Sequence, residues 1–518
     1  MQPLIFDNLK VSYIAVLLAV AVLYTATCAP GPLWQDSGIY QYRIWHNDIE
    51  GKLGLALSHP LYHIIGIAVK YIPLGEFGYR INLISAVAGA FAVANLFLLL
   101  RLWLKKNLPA IIAAMTLALS HTFWRHAVIA ENYALYAALL LAELLMLLQY
   151  VKTKRVAFLY LLGLFNGLAI ATHMFASIGF VCYLVFLVVL LVQKQIRIRD
   201  LGVIAGLWVI GAAPYEYLII NKYIQTGDCT ATLASALFGN RWQSSVFNIG
   251  LSARLIKENL ILLAYNFPTP NVIFFFAGLY GLKKVSPGPI RDVSLRASNG
   301  ASRGFKNILP ALLALFFIFA FRYTVPDRYA FFIPFYCLAC ILIGVGIDFF
   351  ISLPHQQILP YLIFILALLP IPTYIIAPAA AEKMQFGLAT KRKVPYRNEY
   401  TWFLRPWRTG SDSPERFANE VAGSAENNAV IWADTTTAPP LLYVQQVKGR
   451  RGDIKIISGL INSEGSPEFN EKTIEKLLAE RPVYVVSPID GYCPNFLLER
   501  YSFVPSGVIW RVVEKQTK

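Results

Sequence analysis

From residue 11 to residue 378 the chain alternates long apolar runs with short polar breaks, and then it changes character. The runs fall at 11–28, 80–100, 108–121, 134–151, 156–172, 175–192, 201–219, 270–282, 308–321, 331–351 and 358–378. A helix needs about 20 mostly apolar residues to cross a bilayer, so the pattern predicts eleven spans. The run at 270–282 is short and is expected to be broken, or extended by its neighbours. Two further stretches are apolar but interrupted. Leu53 to Tyr71 is broken by His59-Pro60, His63 and Lys70, and 250–268 reads similarly. Both suit helices lying in the membrane interface. Lys10 before the first run is signal-like, but no small-x-small cleavage site follows, so the run is read as a retained helix.

Beyond Gly410 the period changes. Ser413 to Gly423 reads as a helix, with Ser413-Pro414-Glu415 as its cap and first turn. Val430-Ile431-Trp432, Ile454 to Ile457 and Val483 to Val486 read as short strands, with a helix over 471–480. Strands alternating with helices favour a small, mostly parallel sheet. The fold class is therefore a polytopic α-helical membrane protein with a C-terminal α/β soluble domain. Its parts are a transmembrane domain over 1–378, a basic and aromatic juxtamembrane linker over 379–410, and the α/β domain over 411–518.

Composition agrees with a membrane class. Of the 518 residues 57% are hydrophobic and 15% charged, more apolar surface than a soluble protein of this size could hide. The net charge of +16 is uneven: residues 379–518 hold 19 basic and 16 acidic groups, and the membrane part 27 and 14. Basic residues flanking apolar spans report membrane orientation and anionic lipid, and no nucleic-acid module is present. Arg101, Lys105 and Lys106 fall in one set of loops, with Lys152, Lys154 and Arg155, then Lys194, Arg197 and Arg199, then the 283–307 loop. Short basic loops are cytoplasmic. The opposite set, with Asp36, Glu131, residues 220–268 and Asp327, then faces outward, and an odd span count puts the C-terminal domain there too. Lys391, Arg392, Lys393, Arg397, Arg405 and Arg408 resist this reading. Either the count is off by one, or these cations serve a negatively charged ligand. The six cysteines show no metal-ligand spacing, and Cys229–Cys493 is the one disulfide considered.

Candidate chemistry gathers on the outer side. Trp34-Gln35-Asp36-Ser37-Gly38 sets a carboxylate in a loop just past the first span. There it could meet both lipid headgroups and water-borne molecules. The same side carries His59, Arg125, Glu131, Arg241, Arg322, Asp327 and Arg328. No His-x-Glu, Glu-x-x-His or Cys-x-x-Cys spacing points to a metal. Carboxylates, arginines and aromatics beside apolar grooves suit a lipid phosphate carrying a sugar. Arginine would pair with the phosphate, aromatics would stack on the sugar, and a carboxylate would deprotonate a hydroxyl. Glu131 is either a site group or bonded to the backbone or Arg125. Asp327 is read first as an ion-pair partner of Arg322 or Arg328. His173 reads as a capping or packing residue, and Glu143, within a span, as structural.

Asp36-Ser37-Gly38 followed by Ser58-His59-Pro60-Leu61-Tyr62 resembles the opening of the O-mannosyltransferase-like branch of the GT-C membrane glycosyltransferases. Thr122-Phe123-Trp124-Arg125-His126-Ala127-Val128-Ile129-Ala130-Glu131-Asn132-Tyr133 is similar to that branch's second motif. Val325 to Pro334 and Pro395-Tyr396-Arg397-Asn398 add two more matches, so the resemblance touches positions from about 34 to 406. It implies an inverting transferase that uses a polyprenyl- or dolichyl-phosphate sugar, usually mannose. Asp36 matches the acidic catalytic residue of the first outer loop. Ile39 stands where the family often has another acid, and the His-Pro segment is shorter than usual.

The resulting expectation has Asp36 as catalytic base. Glu131, Arg125, His59, Tyr62, Trp124, Arg241, Arg322, Asp327 and Arg328 bind substrate, and neither metal nor other cofactor is required. Partners are the polyprenyl-phosphate-linked sugar, membrane lipids, and an acceptor that is a protein (Ser or Thr), a glycan or a lipid. The location is a bacterial plasma membrane, or the endoplasmic reticulum membrane of a eukaryote, with the site extracytoplasmic. The alternative is a transporter or flippase of lipid-linked sugars. It predicts polar residues through the midplane and inverted repeats, and no repeat is visible.

Overall fold

A computed structural model of the chain describes residues 8–239, 243–284, 295–325, 327–352, 359–387, 392–458 and 471–515. Every apolar run of the sequence coincides with a helix, because in lipid the backbone must satisfy its own hydrogen bonds. The span count is roughly consistent with the pattern, the eleven runs appearing as long helices, one bent pair and three shorter helices. Among the described residues seven helices are long and apolar enough to cross a membrane alone: Leu9–Ala26, Phe77–Leu104, Tyr133–Thr153, Ile198–Thr226, Gly304–Arg322, Arg328–Ile351 and Leu359–Lys383. Ala253–Asn266 and Pro270–Leu282 meet at a bend of 114° and count as an eighth if the pair is one span; the short run at 270–282 is thus extended by its neighbour across a break that precedes it. The runs at 108–121, 156–172 and 175–192 give shorter helices, Asn107–Ala118, Ala157–Ile170 and Ala176–Val192. At 1.5 Å per residue these reach about 18–26 Å, less than the roughly 30 Å hydrocarbon core.

Phe77–Leu104 and Tyr133–Thr153 form the centre, with Arg328–Ile351 against them. Their facing sides carry alanine, leucine and glycine, which let helices approach closely where no water drives them together. Glu143 lies in this interior. Asn166 Nδ2 donates to its Oε1 (3.2 Å), while Asn166 Oδ1 accepts from Trp208 Nε1 (3.0 Å). The intramembrane acid is thus part of a helix-joining hydrogen-bond chain.

The segment after the first span departs from the sequence reading. Gln35–Trp45 is a helix where a loop is expected, and Asp36 sits in its first turn. An acid there is favoured by the helix dipole. Tertiary contacts hold this polar helix in place: Gln41 Nε2 donates to Asn82 Oδ1 (3.1 Å) and to the Gly31 carbonyl (3.1 Å). The Leu53–Tyr71 stretch yields helix Pro60–Lys70, entered through His59 at φ 48° with Pro60 opening the first turn.

The C-terminal sheet has five strands: β1 (Val430–Trp432), β2 (Lys455–Ile457), β3 (Val483–Val485), β4 (Tyr501–Ser506) and β5 (Ile509–Glu514). Their order is β2-β1-β3-β5-β4. β1 pairs in parallel with β2 and β3, as predicted, and the antiparallel β4–β5 hairpin is an addition. Helices Ser413–Ser424 and Glu471–Glu480 stand where the sequence puts them. All six cysteines are unpaired, so Cys229 and Cys493 form no disulfide.

The sheet region is fastened to the Asp36 helix. Trp34 is 1% exposed and belongs to the apolar core of the sheet region. Its Nε1 donates to Ser413 Oγ (3.2 Å), its ring lies 5.2 Å from that of Phe417, and the Gln35 amide donates to the Thr436 carbonyl (3.3 Å). Gly38 is required by this approach. A Cβ there would lie 2.3 Å from the Leu33 carbonyl oxygen and 2.5 Å from Pro439 Cβ. The contact puts Asp36 and the sheet region on one side of the membrane part.

Candidate active site

Helix 35–45 turns Asp36, Tyr40 and Arg43 onto one face, the i, i+4, i+7 spacing of a helix, and that face lines a cavity of about 440 Å³. Glu131 enters from the turn before helix 133–153, and Asp327 from the turn after helix 304–322. His59, His173 and Arg322 complete its polar wall, and Tyr133, Phe175 and Phe331 are among its aromatics. The long sequence separations are closed by short bonds. Ser37 Oγ donates to Glu131 Oε1 (2.9 Å), and Ser85 Oγ donates to the Glu131 carbonyl (2.8 Å) while accepting from its amide (3.1 Å).

Three carboxylates in one cavity cannot all stay charged cheaply. Burial, with Asp327 nearby, pushes Asp36 up to about 7. Burial and the charge of Asp36 push Glu131 well above the usual carboxylate range, and burial raises Asp327. The cavity therefore opposes charge on both Asp36 and Glu131, and the charge of Asp36 itself helps to raise Glu131, the kind of environment that sets paired carboxyl groups apart. Burial also lowers His59 to about 3 and His173 well below its ordinary value, so both rings are neutral. His59 Nδ1 faces the Thr172 carbonyl (2.9 Å), which makes it the donor and leaves Nε2 an acceptor. His173 Nδ1 accepts from the Phe175 amide (3.1 Å), which leaves its Nε2 a donor. His173 stacks on Phe175 at 3.9 Å and on His59 at 5.1 Å. It belongs to the cavity wall as well as packing the turn.

Of the residues singled out in sequence, Asp36, His59, Glu131, Arg322 and Asp327 meet at this cavity. Others do not line it. Tyr62 lies behind, its hydroxyl 3.1 Å from Ser85 Oγ, and so supports the Glu131 turn. Trp124 Nε1 donates to Thr27 Oγ1 (3.0 Å), and its ring packs on Trp407. Arg125 bonds to the Trp402 carbonyl and stacks over the Trp402 ring at 5.2 Å, so it is not the partner of Glu131. Arg328 pairs with Glu258, and Arg322 donates to the carbonyls of Val246 and Asn248. Asp327 accordingly has no ion-pair partner among the described residues, which corrects its reading as half of a salt bridge. Arg241 lies outside the described residues.

Three of the six cations after the last span, Arg392, Arg397 and Arg408, have partners within the protein, and Lys391 lies outside the described residues. Arg397 pairs with Glu399 (2.9 Å), Arg392 with Asp434 (2.6 Å), and Arg408 stacks on Trp402 at 4.4 Å while donating to the carbonyls of Arg405 and Trp402. Arg392 ties the linker to the sheet region, while Arg397 and Arg408 brace the linker itself.

Sequence reasoning missed Tyr40 and Arg43. Arg43 is buried in the cavity wall; its Nη2 donates to the Ser58 carbonyl (3.0 Å), and its Nε lies 3.6 Å from Asp48. The signal was their spacing from Asp36, which becomes meaningful only once 35–45 is known to be helical.

Comparison with known proteins adds three findings. Residues 56–197 match the family described as the Protein O-mannosyl-transferase TMEM260 N-terminal domain. The mouse (Mus musculus) Protein O-mannosyl-transferase TMEM260 is 24% identical over 221 residues, 41% of this chain. The match spans only 30% of that relative's length. ArnT from Cupriavidus metallidurans, solved bound to undecaprenyl phosphate, superposes with a TM-score of 0.62 at 12% identity, covering 97% of both chains. The fold is thus the GT-C type expected from the motifs, in a multi-pass membrane protein.

Proposed function

We propose that the chain is an inverting glycosyltransferase that moves a sugar, mannose by preference, from a polyprenyl- or dolichyl-phosphate donor to a protein Ser or Thr hydroxyl. The observation that carries this reading is the meeting of Asp36, Glu131 and Asp327 with Arg43 and Arg322 in one aromatic-walled cavity. The mouse relative's name, an O-mannosyltransferase, and the lipid phosphate named with the ArnT structure support it.

In this reaction the acceptor oxygen attacks the anomeric carbon as the bond to phosphate breaks. The bonding pair leaves with the phosphate oxygen, and the acceptor's proton passes to Asp36. The guanidiniums of Arg43 and Arg322 face the charge that develops on the phosphate. Preorganised cations do this without reorganising during the step, so the scheme asks for no metal. Glu131, whose neutral form burial favours, donates a hydrogen bond to the sugar or to the phosphate. In this reading the basic loops are cytoplasmic, which supports an extracytoplasmic position for the cavity and for residues 411–518. Those residues then help to receive the acceptor.

Because Asp36 acts only when ionised, transfer should rise with pH through about 7. Below that point it should fall by about tenfold per unit, as expected of a single essential base. A kcat/KM profile that is flat from about pH 5.5 to 8 would contradict the assignment.

Proteoliposomes separate this reading from lipid transport. With labelled polyprenyl-phosphate-mannose in one leaflet and a Ser/Thr-rich peptide outside, the expected result is free polyprenyl phosphate and mannosylated peptide. Donor that changes leaflet intact, with no product, would support a transporter.

A further inference from the structure

A second, smaller cavity of about 180 Å³ lies against the other flank of helix 35–45. Ile39, Arg43, Leu53 and Leu57 line both cavities, so the two share a wall of side chains. The opposite wall belongs to the sheet region, through Pro439 and Leu442. Tyr42 and His46 form a ring pair at 4.5 Å on the polar rim, and His46 Nε2 lies 2.5 Å from Gln446 Oε1. The space is below the roughly 300–1,000 Å³ of pockets that enclose a whole small ligand. It has room for a single side chain.

Arg43 points to an occupant. The residue is 7% exposed; its Nη2 is bonded to the Ser58 carbonyl, while its buried Nε lies 3.6 Å from the Asp48 carboxylate and makes no direct hydrogen bond among the described residues. A buried N–H held only by an ion pair of that length gains from a direct acceptor, and a peptide carbonyl oxygen is the neutral acceptor that a passing polypeptide would bring. The two cavities also differ in character. The larger is walled by Phe175, Phe319 and Phe331 beside its carboxylates, as a lipid-borne donor requires. The smaller is closed on one side by Pro439 and Leu442 of the sheet region, and Asp48 and Lys52 put charge on its wall, which suits a water-borne molecule.

We infer that the second cavity is an acceptor subsite, resting on the protein-acceptor reading above. A side chain flanking the reactive Ser or Thr sits between Leu442 and the Tyr42–His46 rings, and Arg43 takes the carbonyl beside it. The hydroxyl residue itself reaches Asp36 across the shared wall.

The test fills the cavity from its exposed rim with His46→Trp in the full-length protein. Peptide KM should rise about tenfold, the scale of a lost side-chain pocket, while donor KM changes by less than about twofold. Replacing the peptide's flanking residues by glycine should raise KM for the unmodified protein but add little for His46→Trp, since both remove one contact. An unchanged peptide KM in His46→Trp, or equal rises in peptide and donor KM, would overturn the subsite alone. Failure of the unmodified protein to glycosylate any peptide would overturn the protein-acceptor reading, and the subsite with it.

Discussion

Asp36→Asn is expected to lower sugar transfer by about 100- to 10,000-fold, the usual contribution of a general base, while leaving donor binding near its original strength. A Ser or Thr hydroxyl is a poor nucleophile near neutral pH, so its proton must be taken up as the new bond forms. Asp36 is in the cavity, in the first turn of helix 35–45, and titrates near 7 because burial and Asp327 oppose its charge. Asparagine keeps the shape and some hydrogen bonding but cannot accept the proton. The residual rate should no longer rise with pH. Asp36→Glu should rescue little, because an added methylene moves the carboxylate by about a bond length and near-attack geometry tolerates little displacement. Transfer by Asp36→Asn at an unreduced rate would remove the base assignment, leaving Glu131 and Asp327 as the remaining carboxylates of the cavity.

The second large effect is expected two residues earlier. Trp34→Ala should destabilise the seat of the sheet region by about 3–5 kcal/mol, the range for emptying a buried tryptophan site, and should lower kcat even with a short acceptor. Trp34 is inserted into the sheet region's core while Asp36 lines the cavity, so one segment belongs to both. Balanced charge and alternating pattern alone suggest that residues after Gly410 serve acceptor capture and little else. The packing of Trp34 on Phe417 and the Gln35–Thr436 bond give them a further role in holding the Asp36 turn. Faster proteolysis near residues 405–412 with a fallen kcat and retained donor affinity is the expected pattern. A kcat unchanged for short peptides, with loss confined to large acceptors, would confine the sheet region to capture.

Much of the helical frame is legible because lipid forces apolar runs into helices. Helix 35–45 is not, since Gln35-Asp36-Ser37-Gly38 carries turn-like residues and the helix depends on Asn82 and Pro439, far off in sequence. The candidate site divides on the same line. Asp36, His59, Glu131, Arg322 and Asp327 were visible as polar groups at the ends of apolar runs, and they converge. Arg125 is close to Glu131 in sequence, but its partner Trp402 stands 277 residues away, a pairing that no local pattern announces. Arg43 stayed hidden because its helix did. The β4–β5 hairpin was obscured by Pro505, which an edge strand such as β4 tolerates.

The central claim is transfer of a lipid-phosphate-borne sugar by this chain, and product analysis tests it most directly. Purified protein is incubated with polyprenyl-phosphate-mannose and a Ser/Thr peptide, and the mixture is analysed by mass spectrometry, with NMR of the new linkage. The predicted result is a peptide one hexose heavier, linked through a hydroxyl with inverted anomeric configuration, and an equal amount of free polyprenyl phosphate. Intact donor beside unmodified peptide, in protein shown to bind the donor, would contradict the account.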